Sequence, residues 1–129
     1  MTRARFEELV GEGYDALPEW VREKIANVAI IVEDEPSEEI REMEQLGPDE
    51  TLLGLYEGVP LTARSYDASM MLPDRITLFQ FPIEAEAAET GLPVAQVVTE
   101  TIWHEFAHHF GMDEDAVRAR EAERENTSD

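Results

Sequence analysis

Residues 101–114 of this 129-residue chain read TIWHEFAHHFGMDE and contain all three of its histidines. His104 and His108 are four residues apart, and four helical residues turn the chain by about 400°, so both imidazoles lie on one face of a helix. Two ring nitrogens placed in this way can bind one zinc ion at about 2.0–2.1 Å. Glu105 is rotated by about 100° from His104, beside such an ion, where a carboxylate can take a proton from water. The pattern therefore predicts a metal centre with Glu105 as the catalytic base.

A third protein ligand is expected shortly after this helix, because catalytic zinc commonly has three protein ligands and one position for water. Gly111 can end the helix in a left-handed conformation. The chain can then turn back so that the carboxylate of Glu114 approaches the ion. Asp113 and Asp115 flank Glu114 and remain alternatives for the third ligand. The alternative to metal binding as a whole is a structural pair of histidines.

Charge and composition narrow the class of protein. The sequence has 30 Asp and Glu, 10 Lys and Arg, a net charge of −20 and no cysteine. This balance argues against binding of nucleic acid or anionic lipid, and the apolar runs are far shorter than the roughly 20 residues that cross a membrane. Without cysteine, any metal must be held by histidine and carboxylate groups. We expect a small cytoplasmic monomer whose charge keeps it soluble, with adaptation to high internal salt or attraction of a basic partner as the alternative roles of that charge.

The rest of the sequence predicts one α+β domain over residues 1–129, with a frayed tail from about residue 121. Apolar periodicity and capping residues predict helices at 3–16, from Pro18 onward, at 37–45 with Ser37 as the cap, at 93–111 and at 113–125. Short β-branched or alternating runs predict strands at 27–33, 52–56, 59–63 and 76–81. The second and third of these strands are expected to form a hairpin. The strand at 76–81 is apolar on both faces, so it is either covered on both sides or lines a groove.

The helix at 93–111 is apolar on nearly all sides, which is typical of a buried helix. Trp103, Phe106 and Phe110 are therefore expected in the core. His109 faces away from the stripe that carries the two predicted metal ligands. We expect it to be a hydrogen-bonded or a surface histidine and not a ligand.

Residues 104–114 resemble the zincin metallopeptidases, in which an HExxH helix supplies two ligands and the base. With Gly111 and Glu114 they follow the metzincin-like spacing HExxHxxGxx(H/D), with glutamate where histidine or aspartate is usual. The whole chain is more similar to the minimal zincins, a family of small bacterial proteins regarded as zinc metallopeptidase candidates of unknown substrate. This similarity covers most of residues 3–120 and includes the segments 28–36, 53–58 and 72–77.

The resemblance implies a zincin-like α+β fold, with a small mixed sheet packed against the active-site helix. It also implies a zinc-dependent hydrolase of peptide bonds in which His104, His108 and Glu114 bind Zn²⁺. Glu105 would activate water and pass the proton to the leaving amine.

The substrate implied by the resemblance is a peptide or a protein. An extended peptide would add to an edge of the sheet beside the active-site helix, for which residues 76–81 are the candidate. Tyr66 and Arg75 are candidates for stabilising the oxyanion on their chemistry alone, with a surface or packing role as the alternative for each.

Two departures from the larger zincins keep other functions open. Only 15 residues follow Glu114, which is too few for a metzincin Met-turn or for a thermolysin-like ligand from a later helix, and the glutamate itself is unusual. A non-catalytic binding module with the zincin fold, with or without metal, is therefore the rival from another class. Hydrolysis of another kind of amide is the enzymatic rival.

Overall fold

The computed structural model describes residues 1–58 and 74–109, and its centre is a three-stranded mixed sheet. The strands are β1 (Ala29–Glu33), β2 (Gly54–Glu57) and β3 (Arg75–Phe79), in the spatial order β1-β3-β2. β1 runs parallel to β3 and β2 runs antiparallel to it, with Ile31 and Leu55 opposite Thr77 from either side. A small mixed sheet combined with helices is the α+β class that the sequence predicts.

The described part of the chain also contains five helices: α1 (Arg3–Asp15), α2 (Glu19–Lys24), α3 (Glu38–Met43), α4 (Gln80–Thr90) and α5 (Val94–His109). The Ser37 hydroxyl accepts a hydrogen bond from the Ile40 N–H at 3.2 Å, which confirms the predicted cap of α3. α4 ends at Gly91, whose φ of 77° is a left-handed conformation that glycine adopts at little cost.

Helix α5 carries the predicted site and runs through the core. Ile102 and Trp103 are at most 1% exposed, and Phe106 is 2% exposed. Trp103 and Phe106 also make edge-on ring contacts with Trp20 of α2, at centroid distances of 5.7 and 5.6 Å. The core positions predicted for Trp103 and Phe106 are confirmed, and Phe110 lies outside the described residues.

Helices α1 and α5 pack closely against each other at Gly13. The Thr99 hydroxyl donates to the Gly13 carbonyl at 2.7 Å. A Cβ at position 13 would lie 2.7 Å from the Ala95 carbonyl oxygen and 2.8 Å from Val98 Cγ1. A Cβ at Gly11 would meet nothing within 4 Å. Both glycines lower the helix propensity of α1, but packing requires only the one at position 13.

We expect Gly13→Ala and Gly11→Ala to change the free energy of unfolding in opposite directions. Gly13→Ala should destabilise the protein by about 1–3 kcal/mol, because the added methyl group overpacks the α1–α5 contact. Gly11→Ala should stabilise it by about 0.5–1 kcal/mol, because alanine loses less backbone entropy in a helix. Urea unfolding followed by circular dichroism measures both values. A Gly13→Ala variant as stable as Gly11→Ala would contradict this packing.

β3 is the central strand, so the prediction of residues 76–81 as the sheet edge is wrong. β3 pairs with β1 on one side and with β2 on the other, which leaves no edge for a peptide. The strand ends at Phe79, and Gln80 and Phe81 begin α4. Both faces of the strand are covered, because its buried residues are the consecutive Ile76, Thr77, Leu78 and Phe79. Among the three described strands, the outer one beside α5 is β2.

The remaining predicted elements agree with the structure to within a few residues where they are described. The strand predicted at 52–56 is β2, and the one at 27–33 is β1. Helix α4 has no counterpart in the sequence-based prediction. The elements predicted at 59–63 and 113–125, and the frayed tail, lie outside the described residues. None of the helices in residues 1–58 and 74–109 has the length and apolar content that crossing a membrane demands.

Candidate functional site

His104 and His108 lie on the exposed face of α5, one helical turn apart. Their ring centroids are 6.4 Å apart and their ring planes are inclined by 78°. The other faces of this helix bury Ile102, Phe106 and Ala107. Because rotation of α5 would expose these core residues, packing fixes which face the two histidines present to solvent.

Glu105 is half-buried, whereas His104 and His108 are exposed. Its Oε2 accepts a hydrogen bond of 3.1 Å from the backbone N–H of Tyr56. Burial raises the pKa of the Glu105 carboxyl above its ordinary value, and the Tyr56 N–H and the neighbouring His108 and His104 oppose this only in part. The negative charge of Glu44 raises the same pKa further. The site therefore holds one positioned carboxyl group that binds a proton more tightly than an exposed glutamate does.

Helix α5 and strand β2 run side by side, which explains the contact between Glu105 and Tyr56. Gly54 packs directly on Thr101, because a Cβ at position 54 would lie 2.7 Å from Thr101 Cγ2. Two strand residues rise by about 6.8 Å and four helical residues by about 6.0 Å. Tyr56 lies two residues after Gly54, and Glu105 lies four residues after Thr101. The two elements therefore advance by nearly the same distance, and Tyr56 contacts Glu105. A glycine inside a strand is the local sequence signal for such a close approach.

Tyr56 also belongs to a cluster with His109 and Asp74 that no pattern in the sequence predicts. Its ring stacks on the imidazole of His109, with centroids 3.7 Å apart and planes inclined by 14°. Its hydroxyl donates to Asp74 Oδ2 at 3.0 Å, and the same oxygen lies 3.9 Å from His109 Nε2. His109 thus lies against β2 and Asp74 and remains exposed on α5. Tyr56 and Asp74 are 18 residues apart, and no local pattern signals their contact.

We expect the raised pKa of Glu105 to lower the stability of the metal-free protein at neutral pH. A carboxyl group with a raised folded-state pKa contributes stability below its unfolded pKa, and this contribution is lost as the pH rises through the folded value. Glu105→Gln stays neutral and keeps an oxygen for the Tyr56 N–H. In the presence of a chelator, Glu105→Gln should therefore have a higher midpoint of thermal unfolding than the parent at pH 7. This difference should disappear as the pH falls towards 4.5, the ordinary pKa of a glutamate carboxyl group.

The matched control for this measurement is Glu12→Gln, which removes the same charge from an exposed position on α1. It corrects for the general effect of making an acidic chain less negative. An equal gain in both variants at pH 7 would contradict the burial of the Glu105 charge.

A cleft of about 380 Å³ opens beside His104 and Glu105, and both residues line it. It lies between α5, α4 and the segment that leads into β2. The apolar part of its lining consists of Leu52, Leu53, Leu92 and Val97. Two further carboxylates, those of Glu86 and Glu100, line it as well. A cleft of this size next to a candidate base can hold one large side chain of a substrate.

The third predicted ligand, Glu114, lies outside the described residues, together with Asp113 and Asp115. Within residues 1–58 and 74–109, no three His, Asp or Glu side chains are grouped as a metal site. The two described donors nevertheless fit zinc, because neutral imidazole is a common zinc ligand and both rings are exposed on one face.

Of the two candidates for oxyanion stabilisation, Tyr66 and Arg75, the structure describes only Arg75. Tyr66 lies outside the described residues. The Arg75 guanidinium binds the Glu57 carboxylate through two contacts of 3.2 and 3.3 Å on the sheet. This ion pair agrees with the surface role of Arg75, which was the alternative to an oxyanion contact.

Comparison with known proteins places the chain in a family. No curated protein matches it. A family model described as zincin-like metallopeptidase matches residues 25–124. The match begins directly after α2 and includes all three strands and the whole of α5, with His104, Glu105 and His108. The chain therefore belongs to the zincin-like metallopeptidase family.

Proposed function

We propose that this protein is a zinc-dependent metallopeptidase in which Glu105 is the general base for peptide-bond hydrolysis. The observation that carries the proposal is the placement of Glu105. Its carboxylate is half-buried between His104 and His108 on α5 and is held by the backbone of the neighbouring strand. A positioned carboxyl group with a raised pKa is suited both to take a proton and to return it at neutral pH.

In this proposal His104, His108 and Glu114 hold the zinc ion. Bound zinc lowers the pKa of a coordinated water and polarises the carbonyl of the substrate. Glu105 takes the proton from the attacking water and delivers it to the leaving amine. The Tyr56 N–H fixes Oε2 of Glu105, so that Oε1 is the oxygen that carries the proton.

Strand β2 replaces residues 76–81 as the proposed edge for the peptide. The Leu53 carbonyl accepts a hydrogen bond from the Phe79 N–H, and hydrogen-bonded pairs alternate along an antiparallel ladder. The register then turns the backbone groups of Gly54 and Tyr56 away from β3. Gly54 is buried against α5, so an extended peptide would lie beside Tyr56 and Glu57, at the end of β2 that is next to Glu105.

The test is the cleavage of a proteome-derived peptide library by the zinc-loaded protein, followed by mass spectrometry. New amino termini should accumulate with zinc and should be absent when a chelator is present. Cleavage that persists with the chelator would identify a contaminating peptidase. No cleavage above the chelated control would contradict the proposal and favour the non-catalytic binding module.

A further inference from the structure

We infer that the cleft beside Glu105 receives a lysine or arginine side chain of the substrate, so that cleavage occurs next to a basic residue. This inference rests on the proposed function for the position of the cleaved bond. His104 and Glu105 both line the cleft. When the scissile carbonyl of a peptide lies at these two residues, the side chain next to the cleaved bond enters the cleft.

The apolar lining suits the stem of a long side chain. Leu52 and Leu53 come from the segment before β2, Leu92 from the connection between α4 and α5, and Val97 from the first turn of α5. Lysine and arginine bury their methylene groups against surfaces of this kind while the charged end stays near polar groups. A cleft of about 380 Å³ has room for such a side chain in extended form.

The charges of the cleft select the basic end. Glu86 and Glu100 are half-buried in its lining, and no Lys or Arg is among the described residues that line it. Glu100 accepts a hydrogen bond of 3.4 Å from the neutral amide of Gln96, and neither carboxylate has an ion pair with a described residue. Two like charges beside an apolar surface are stabilised by a cation between them. An acidic substrate side chain would be repelled, and the net charge of −20 adds to this selection.

The sharpest probe of the cleft is a pair of small ligands that differ only in the charged group. N-acetyl-lysine methylamide and N-acetyl-norleucine methylamide share the same stem, and their binding to the protein as purified can be followed by ¹⁵N NMR. We expect the lysine compound to bind more tightly and to shift the resonances of Leu92, Val97 and Glu100. Glu86→Gln and Glu100→Gln should each weaken its binding about two- to fivefold, the range typical of half-exposed ion pairs, and should leave the norleucine compound unaffected.

Glu89→Gln is the matched control, because Glu89 is exposed on the same helix as Glu86 and does not line the cleft. Equal binding of the two ligands, or an equal loss in Glu89→Gln, would overturn the inference. Tighter binding of norleucine would assign the cleft to an apolar side chain.

The peptide library separates this inference from the proposed function. Zinc-dependent cleavage without enrichment of Lys or Arg beside the cleaved bond would refute the basic specificity and leave the peptidase intact. Selective binding of lysine by a protein that cleaves no peptide would refute the peptidase and retain the site for basic side chains.

Discussion

Glu105→Gln should bind zinc as tightly as the parent protein and lose peptide hydrolysis by a factor of about 10²–10⁴, the contribution typical of a general base. Glutamine has the same shape and can still accept the Tyr56 N–H, which the structure shows bonded to Oε2. It cannot take a proton from water. The loss should therefore appear in kcat, while KM and zinc content stay close to those of the parent. Steady-state cleavage of a peptide selected from the library measures both constants.

The control for this prediction is Glu12→Gln, at an exposed position on α1 that lies outside the residues of the family match. It should retain the activity of the parent. A Glu105→Gln variant with unchanged kcat would contradict the role of Glu105, whatever its zinc content. A variant that loses zinc as well would mean that Glu105 contributes to the metal site itself.

His104→Ala and His108→Ala should each weaken zinc binding by more than about 100-fold, because even an outer-shell partner of a zinc ligand commonly contributes 10- to 100-fold. Activity should fall with the metal. Both side chains are exposed on one face of α5, so their removal leaves no cavity in the core and the variants should remain folded. Competition with a chromophoric zinc chelator measures the affinity, and circular dichroism reports the helix content.

His109→Ala is the matched control for these two variants, since it removes the adjacent histidine of the same helix. His109 stacks on Tyr56 and lies near Asp74. Its removal should leave zinc affinity within about threefold of the parent value, far from the loss expected for a ligand. If His109→Ala lost zinc as strongly as His104→Ala, the ligand set would have to be reassigned.

Local sequence patterns predict the elements whose determinants lie within a few residues. The spacing of His104, Phe106 and His108 predicts α5 and its two faces, because a helix is determined by neighbours three and four positions away. The Ser37 cap is equally local. Helix α4 also has local signals, with Pro82 in its first turn and Gly91 directly after its end. The alternating residues 76–81 predict a strand as far as Phe81, which overlaps the start of α4 at Gln80, and the helix was not predicted.

The position of β3 in the sheet could not be predicted in this way. An apolar strand covered on both faces is compatible with a central or an edge place, and the choice depends on pairing with segments about 20 and 45 residues earlier in the chain. Long-range pairing of this kind leaves no trace in the periodicity of the strand itself.

The candidate site likewise combines features that local sequence patterns predict with features that depend on long-range contacts. The spacing of the motif suffices to place His104 and His108 on one face and Glu105 beside them. The bond from Tyr56 to Glu105 joins residues 49 positions apart, and it exists because Gly54 lets β2 approach Thr101. The cleft depends on α4, β2 and α5 together, so its basic specificity could be inferred only from the structure.

The metal centre on α5 can be tested by elemental analysis of the protein purified without added metal, paired with His104→Ala prepared in the same way. We expect close to one zinc ion per chain in the parent protein and almost none in the variant. A parent protein without bound metal, or one whose metal content is unchanged in His104→Ala, would contradict a metal centre built on this helix.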